Sequence, residues 1–194
     1  MNINIRKIRE DEYGLLENFI YEAIFIPEGV EPPPKSIIYQ PDLQVYIKDF
    51  GTEKDDICFV AEVSGKVVGA VWVRDMMDYG HIADGVPSFA ISLYKQYRNH
   101  GIGTRLMITM LNELREKGYD RTSLAVQKAN YAVKMYKKVG FEICDENEEE
   151  YIMVCKLQNK PPVLSGIIIK KLYKYLTGDT FLWKGSPPNP FQRL

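Results

Sequence analysis

Residues 87–126, PSFAISLYKQYRNHGIGTRLMITMLNELREKGYDRTSLAV, restrict the fold more than any other stretch of this chain. PSFAISLY reads as a strand and RTSLAV as another. Between them, GTRLMITMLNELREKG sets Met107, Met110, Leu111 and Leu114 at i, i+3, i+4 and i+7, and Gly118 closes the helix. A strand, helix, strand passage requires a parallel strand pair. The flanking segments demand the opposite pairing. ICFVAEV and KVVGAVWVRDM meet at Ser64-Gly65, a short hairpin signal, and FEICD and YIMVCKL flank the acidic turn Glu146 to Glu150.

The rest of the pattern completes an α/β reading. MNINIRKI alternates Ile3, Ile5 and Ile8 with polar residues as a first strand. DEYGLLENFIYEAIF puts Leu15, Leu16, Phe19, Ile20, Ala23 and Ile24 on one helical face, with Asp11 as N-cap. PEGVEPPPKS holds four prolines and one glycine and forms a stiff loop. PDLQVYIKDFG is a short second helix, and NYAVKMYKKVG a further one that Gly140 ends. The order β, α, α, β, β, β, α, β, α, β, β predicts a mixed, mostly antiparallel central sheet with helices on both faces.

Bulk properties remove several function classes. The 194 residues carry a net charge of −1, so no global field recruits nucleic acid, and the apolar share of 45% suits a globular domain. Cys58, Cys144 and Cys155 are scattered, His81 and His100 stand alone, and no pattern suggests a disulfide framework or a metal site. The start lacks the apolar core of a signal peptide and no run is long enough to span a membrane, so a cytoplasmic location is expected.

The glycine turn carries the chemistry. Gly101 and Gly103 let backbone approach a ligand, and the helix start directs amides without intrahelical partners outward at the positive end of its dipole. Such a turn suits a diphosphate, with Arg98 as a forked cationic partner. A Walker loop needs a lysine and a hydroxyl after its last glycine, but Thr104-Arg105 stand here. A dinucleotide fingerprint needs a third glycine where Leu106 stands. RNHGIG, Arg98 to Gly103, resembles the coenzyme A pyrophosphate motif R-x-x-G-x-G of the GNAT N-acetyltransferases. NYAVKMYKKVGFE, Asn130 to Glu142, is similar to that family's second signature. The resemblance covers roughly residues 3–157 and implies the GNAT fold and acetyl-CoA as co-substrate, without a metal.

Carried over by position, the resemblance implies roles for individual residues. Backbone at Leu93 and Tyr94 would pair with the pantetheine arm. Amides of Arg98, Asn99, His100, Gly101, Ile102, Gly103 and Thr104 would hold the diphosphate, and Asn130 would contact the coenzyme. Tyr136 would lie near the sulfur as general acid. The strand before the turn offers Ser88 and Ser92 but no carboxylate, where many family members carry a glutamate. The base is therefore sought among Asp75, Asp78, His81 and Asp84, or in water relayed through Ser92. Of these His81 has a suitable ordinary pKa, about 6.5. The acceptor pocket is expected from Phe25, Glu28, Glu31 and Tyr39, joined by Tyr79, where acid beside aromatic suits a cationic amine.

The expected activity is N-acetyl transfer to a primary amine of a small molecule or peptide. A non-catalytic acyl-CoA-binding or regulatory module is the alternative, and a nucleotide binder a third. Residues 158–194 carry six Lys/Arg and one Asp, leaving about −6 on the remainder. This basic extension of the 1–157 domain is expected to pack on the body or on a second subunit of a homodimer, with membrane contact disfavoured.

Overall fold

A computed structural model of the chain describes residues 1–157. The expectations for the basic extension fall outside the described residues. Seven strands form one sheet: β1 (Ile3–Lys7), β2 (Ile57–Val63), β3 (Lys66–Arg74), β4 (Ser88–Leu93), β5 (Arg121–Gln127), β6 (Phe141–Glu146) and β7 (Glu150–Lys156). Their order is β1-β2-β3-β4-β5-β7-β6, and every pair is antiparallel except β4 and β5. The helices are α1 (Leu16–Ala23), α2 (Pro41–Gln44), α3 (Ile102–Glu116) and α4 (Ala132–Lys138). Element order and sheet character agree with the sequence pattern.

Strand alternation divides the core in two. Phe59, Val71, Val73, Phe89, Leu124 and Val126 face one side, where α3 brings Leu106, Met107, Met110 and Leu114, and α4 brings Val133 and Tyr136. Cys58, Val60, Ala70, Trp72 and Ala90 face the other, covered by Leu16, Phe19 and Ile20 of α1 and by Tyr46 and Phe50 beyond α2. Val63 and Lys66 close the β2–β3 hairpin around Ser64 (φ 50°) and Gly65 (φ 77°), the two left-handed positions of a tight turn.

The first helix differs from its sequence reading. A 3-10 turn, Glu10–Leu15, precedes α1, and Arg9 rather than Asp11 stands at its cap. The cause is Glu12, which turns inward. Its carboxylate accepts both terminal nitrogens of Arg6 (2.7 and 2.8 Å) and the Arg9 amide (3.0 Å), while Arg6 also reaches Glu62 (2.9 Å). One carboxylate thus joins β1, β2 and the entry to α1. The hydrogen bonds from Arg6 hold its pKa down, from 4.5 to about 2.

Because the folded carboxyl is the stronger acid, its contribution is complete above pH 4.5 and fades as the pH falls toward 2. Glu12→Gln is expected to lower unfolding free energy at pH 7 by about 1–3 kcal/mol. Urea titrations of both proteins should converge as the pH drops through that window.

Candidate active site

The parallel pair that the sequence demands is barely a pair. Ser88 and Ser123 are its one registered couple, with the Ser123 amide on the Pro87 carbonyl (3.2 Å). Beyond this root β4 and β5 part. On β4 the Tyr94 amide donates to Val68 of β3 (3.1 Å), so the even residues bond to β3 and the odd ones face β5. Ile91 and Leu93 therefore present strand-edge backbone to an open wedge. Of the two residues expected to pair with a pantetheine arm, Leu93 faces the wedge. Tyr94 does not, because its amide is spent on β3 and its ring lies 5.3 Å from Phe19.

At the mouth of the wedge stands the glycine turn. Among the described residues, the amides of Asn99, His100, Gly101, Ile102, Gly103 and Thr104 donate to no protein acceptor. The Arg98 amide is the exception, bonded to Lys95 (3.2 Å). Asn99 (φ 64°) and Gly101 (φ 76°) take left-handed conformations that curl these donors into a nest at the start of α3. Gly103 serves another end. A Cβ there would sit 3.2 Å from Met135 Sδ and 3.4 Å from a Leu93 methyl, so its absence lets α3 start close against β4 and α4.

Arg98 corrects its sequence reading. Its guanidinium does not fork toward the nest: Nε donates to the Leu93 carbonyl (2.9 Å), and Nη2 to the Glu22 carboxylate (2.9 Å) and carbonyl (3.2 Å). It ties the end of β4 to the end of α1. Asn130 also spends a group on structure, since its Oδ1 accepts the Ala132 amide (2.9 Å) in the turn that leads into α4. Tyr136 lies buried beside Phe141 (6.1 Å), which in turn meets Phe89 of β4 (5.6 Å). Burial raises the Tyr136 phenol well above its ordinary value, with Tyr131 adding to the shift.

The remaining candidates separate by position. Ser92 donates to the Phe19 carbonyl (2.7 Å), so the hydroxyl expected to relay water fastens β4 to α1 instead. His81 is turned into its own loop, with Nδ1 3.1 Å from the Met76 carbonyl and Nε2 3.7 Å from Asp84. Asp75 accepts the Gly85 amide (2.8 Å). Asp78 alone of the loop carboxylates reaches β4, where Ser88 Oγ donates to it (2.7 Å). Tyr79 donates to Asp42 of α2 (3.0 Å). Tyr39 lines a groove of about 650 Å³ with Gln44, Lys48 and Arg74, while Phe25, Glu28 and Glu31 stay on the loop after α1 without a hydrogen bond to the Asp78 cluster. Sequence reasoning passed over Tyr46, Asp42 and Ser123 altogether. No local pattern marks them, because their partners stand 30 or more residues away.

The Arg98–Glu22 tie predicts that Arg98→Met and Glu22→Gln each destabilise the ligand-free protein. A double-mutant cycle read by urea unfolding should return a coupling of about 0.5–3 kcal/mol. A guanidinium aimed only at phosphate would return none.

Comparison with known proteins agrees with this geometry. The Acetyltransferase (GNAT) family model matches residues 21–141. A protein named Probable N-acetyltransferase camello, from Xenopus tropicalis, is 35% identical over 92 residues, which are 45% of this chain and 40% of that one. An N-alpha-acetyltransferase of Sulfurisphaera tokodaii is 30% identical over 115 residues, 51% of this chain and 68% of its own. The chain thus spans less than half the length of the first relative and about two thirds of the second. The PaiA N-acetyltransferase of Thermoplasma acidophilum, solved with coenzyme A, superposes with a TM-score of 0.61 at 20% identity, covering 80% of this chain and 99% of that one. The family match runs through the nest, the wedge and α4, and the chain belongs to the GNAT acetyltransferase family.

Proposed function

We propose that this chain is an acetyl-CoA-dependent N-acetyltransferase acting on a primary amine of a small molecule or peptide, in the cytoplasm. The observation that carries the reading is the continuity of nest and wedge. Six unpaired amides suit a diphosphate, and the Leu93–Ile91 edge beside them suits the amides of a pantetheine arm. Peptide-like pairing holds a flexible arm without demanding particular side chains. The side-chain amide nitrogen of Asn130, in the turn that leads into α4, is the group left for the coenzyme.

In the proposed reaction a neutral amine attacks the thioester carbonyl. The Leu93 amide, unpaired at the wedge, stabilises the oxyanion. Tyr136 protonates the departing thiolate. Burial keeps this phenol protonated at neutral pH, and it raises the proton affinity of a thiolate formed beside it as well. Transfer therefore stays within reach although the phenol is a weak acid. Phe25, Glu28, Tyr39 and Tyr79 are proposed to border the acceptor.

The test is a panel of primary amines with acetyl-CoA, read by thiol release. Turnover is expected with at least one class of amine, whereas stabilisation by coenzyme A with no turnover would make the chain a binding module. Tyr136→Phe is expected to lower kcat by about 10²–10⁴-fold with the affinity for coenzyme A unchanged. An undiminished kcat would remove the acid role.

A further inference from the structure

β4 lacks a carboxylate, and the structure brings one to it from elsewhere. Among the described residues, two buried side-chain polar atoms have no hydrogen-bond partner: Asp78 Oδ1 and Ser123 Oγ. Both lie at the root of the wedge. Ser88 and Ser123 are the registered couple there, and alternation points both side chains to the α1/α2 face, since Phe89 and Leu124 face α3. Ser88 Oγ donates to Asp78 Oδ2 (2.7 Å), and Oδ1 is left without a partner. Leaving a buried carboxylate oxygen unpaired is costly, and sites that persist in this state are commonly functional.

The loop is built to deliver this group. Gly80 packs so deep in the root that a Cβ would stand 2.6 Å from Ser88 Oγ, 2.9 Å from the Ala125 nitrogen and 3.0 Å from the Leu124 carbonyl carbon. Two residues earlier the chain lays Asp78 against β4. Across from it, Tyr46 is fixed on both sides of its backbone: Trp72 Nε1 donates to the Tyr46 carbonyl (3.1 Å), and Arg74 to those of Val45 (3.0 Å) and Lys48 (2.8 Å).

We propose that Asp78 is the catalytic base for the acceptor amine, supplying from the β3–β4 loop the carboxylate that β4 does not carry. This rests on the reading of the chain as an acetyl-CoA-dependent N-acetyltransferase. The acceptor arrives as an ammonium ion, and Asp78 Oδ1 takes one proton from it through water along the β4 edge, since the Leu93 amide stands five strand residues, about 16 Å, beyond Ser88. The neutral amine then forms the C–N bond, and the C–S bond breaks as the thiolate takes the Tyr136 proton. The new amide nitrogen gives its surplus proton to the Tyr136 phenolate, and Asp78 releases its proton to solvent. Ammonium ion and acetyl-CoA thus become amide, free thiol and one released proton.

Burial raises the proton affinity of Asp78, opposed by the hydrogen bond from Ser88 and by the nearby Tyr46 hydroxyl and Gly80 amide. A carboxylate moved toward neutrality is the better base. The ionisable groups around it are Tyr46 from the turn after α2, Tyr79 and His81 from its own loop, and Arg74 of β3, with Asp42 on Tyr79 and Glu150 of β7 adding negative charge. The Arg74 guanidinium is already spent on Asp56 and on the Val45 and Lys48 carbonyls, which leaves room for an acceptor that arrives as an ammonium ion.

The experiment uses the full chain with acetyl-CoA and two amine probes: 1,4-diaminobutane, charged at neutral pH, and 2,2,2-trifluoroethylamine, largely neutral there. Asp78→Asn is expected to keep its unfolding transition and its coenzyme A affinity while kcat/KM for diaminobutane falls about 10²–10⁴-fold. Trifluoroethylamine is expected to lose much less, because it needs no prior deprotonation. Ser88→Ala, which removes a bond that lowers the Asp78 pKa, is expected to move the acid limb of kcat/KM to higher pH. Asp78→Asn with wild-type kcat/KM and an unchanged acid limb overturns the assignment alone. A wild-type protein that binds coenzyme A and acetylates neither probe nor any amine of the panel overturns the reading beneath it, and this assignment with it.

Discussion

The failure of β4 and β5 to stay paired is the constraint on which the rest of this structure depends. A parallel pair in the middle of a sheet normally continues, because each strand's amides and carbonyls need partners. Here pairing stops after the Ser88–Ser123 couple, and the edges that follow are left open. Neighbouring elements hold the strands in this arrangement. Arg98 occupies the Leu93 carbonyl and pins the end of β4 to α1. β5 is paired along its length with β7, from Arg121 to Gln127. At the root, Gly80 sits against the β5 backbone and Thr122 donates to the Pro87 carbonyl (2.6 Å). The wedge is therefore a product of the sheet's own bonding and not of a missing contact.

Much of this was legible in the sequence, for a physical reason. Strand and helix periods are local, so element order, the crossover through α3 and the Ser64-Gly65 hairpin could all be read from residues a few positions apart. The nest could be read too, because left-handed positions and helix starts are local chemistry. What could not be read were side-chain destinations. Arg98 looks like a phosphate ligand until Glu22 and Leu93 claim its guanidinium, and Ser92 looks free until the Phe19 carbonyl accepts its hydroxyl. Asp11 looks like the helix cap because the sequence does not show that Arg6 draws Glu12 inward. Each error came from a partner on another element, whether six residues away, as Arg6 is from Glu12, or 73, as Phe19 is from Ser92.

The same reasoning explains why one loop carboxylate stands apart from its neighbours. Asp75, Asp78 and Asp84 are equivalent in the sequence: acids in a polar loop between two strands. The structure spends Asp75 on a loop amide and leaves the Asp84 side chain fully in solvent. Asp78 is separated from them by one glycine's worth of space. Gly80 lets the loop drop into the wedge root, and only from that depth does Asp78 meet Ser88. A loop that carried any side chain at position 80 would ride higher, and its carboxylate would be another solvated surface charge.

The sheet also keeps the two proton-handling groups of the proposed reaction apart. Asp78 lies on the α1/α2 face with Ser88, and Tyr136 belongs to the α3/α4 face with Phe141. Burial raises the proton affinity of both, which leaves the phenol protonated and brings the carboxylate toward neutrality. In the proposed reaction the thioester and the amine stand between the two groups, so each exchanges its proton with the substrates rather than with the other. A fold that opens its central sheet at one seam gains a site with distinct sides, and the direction of proton flow in the proposed mechanism follows from that seam.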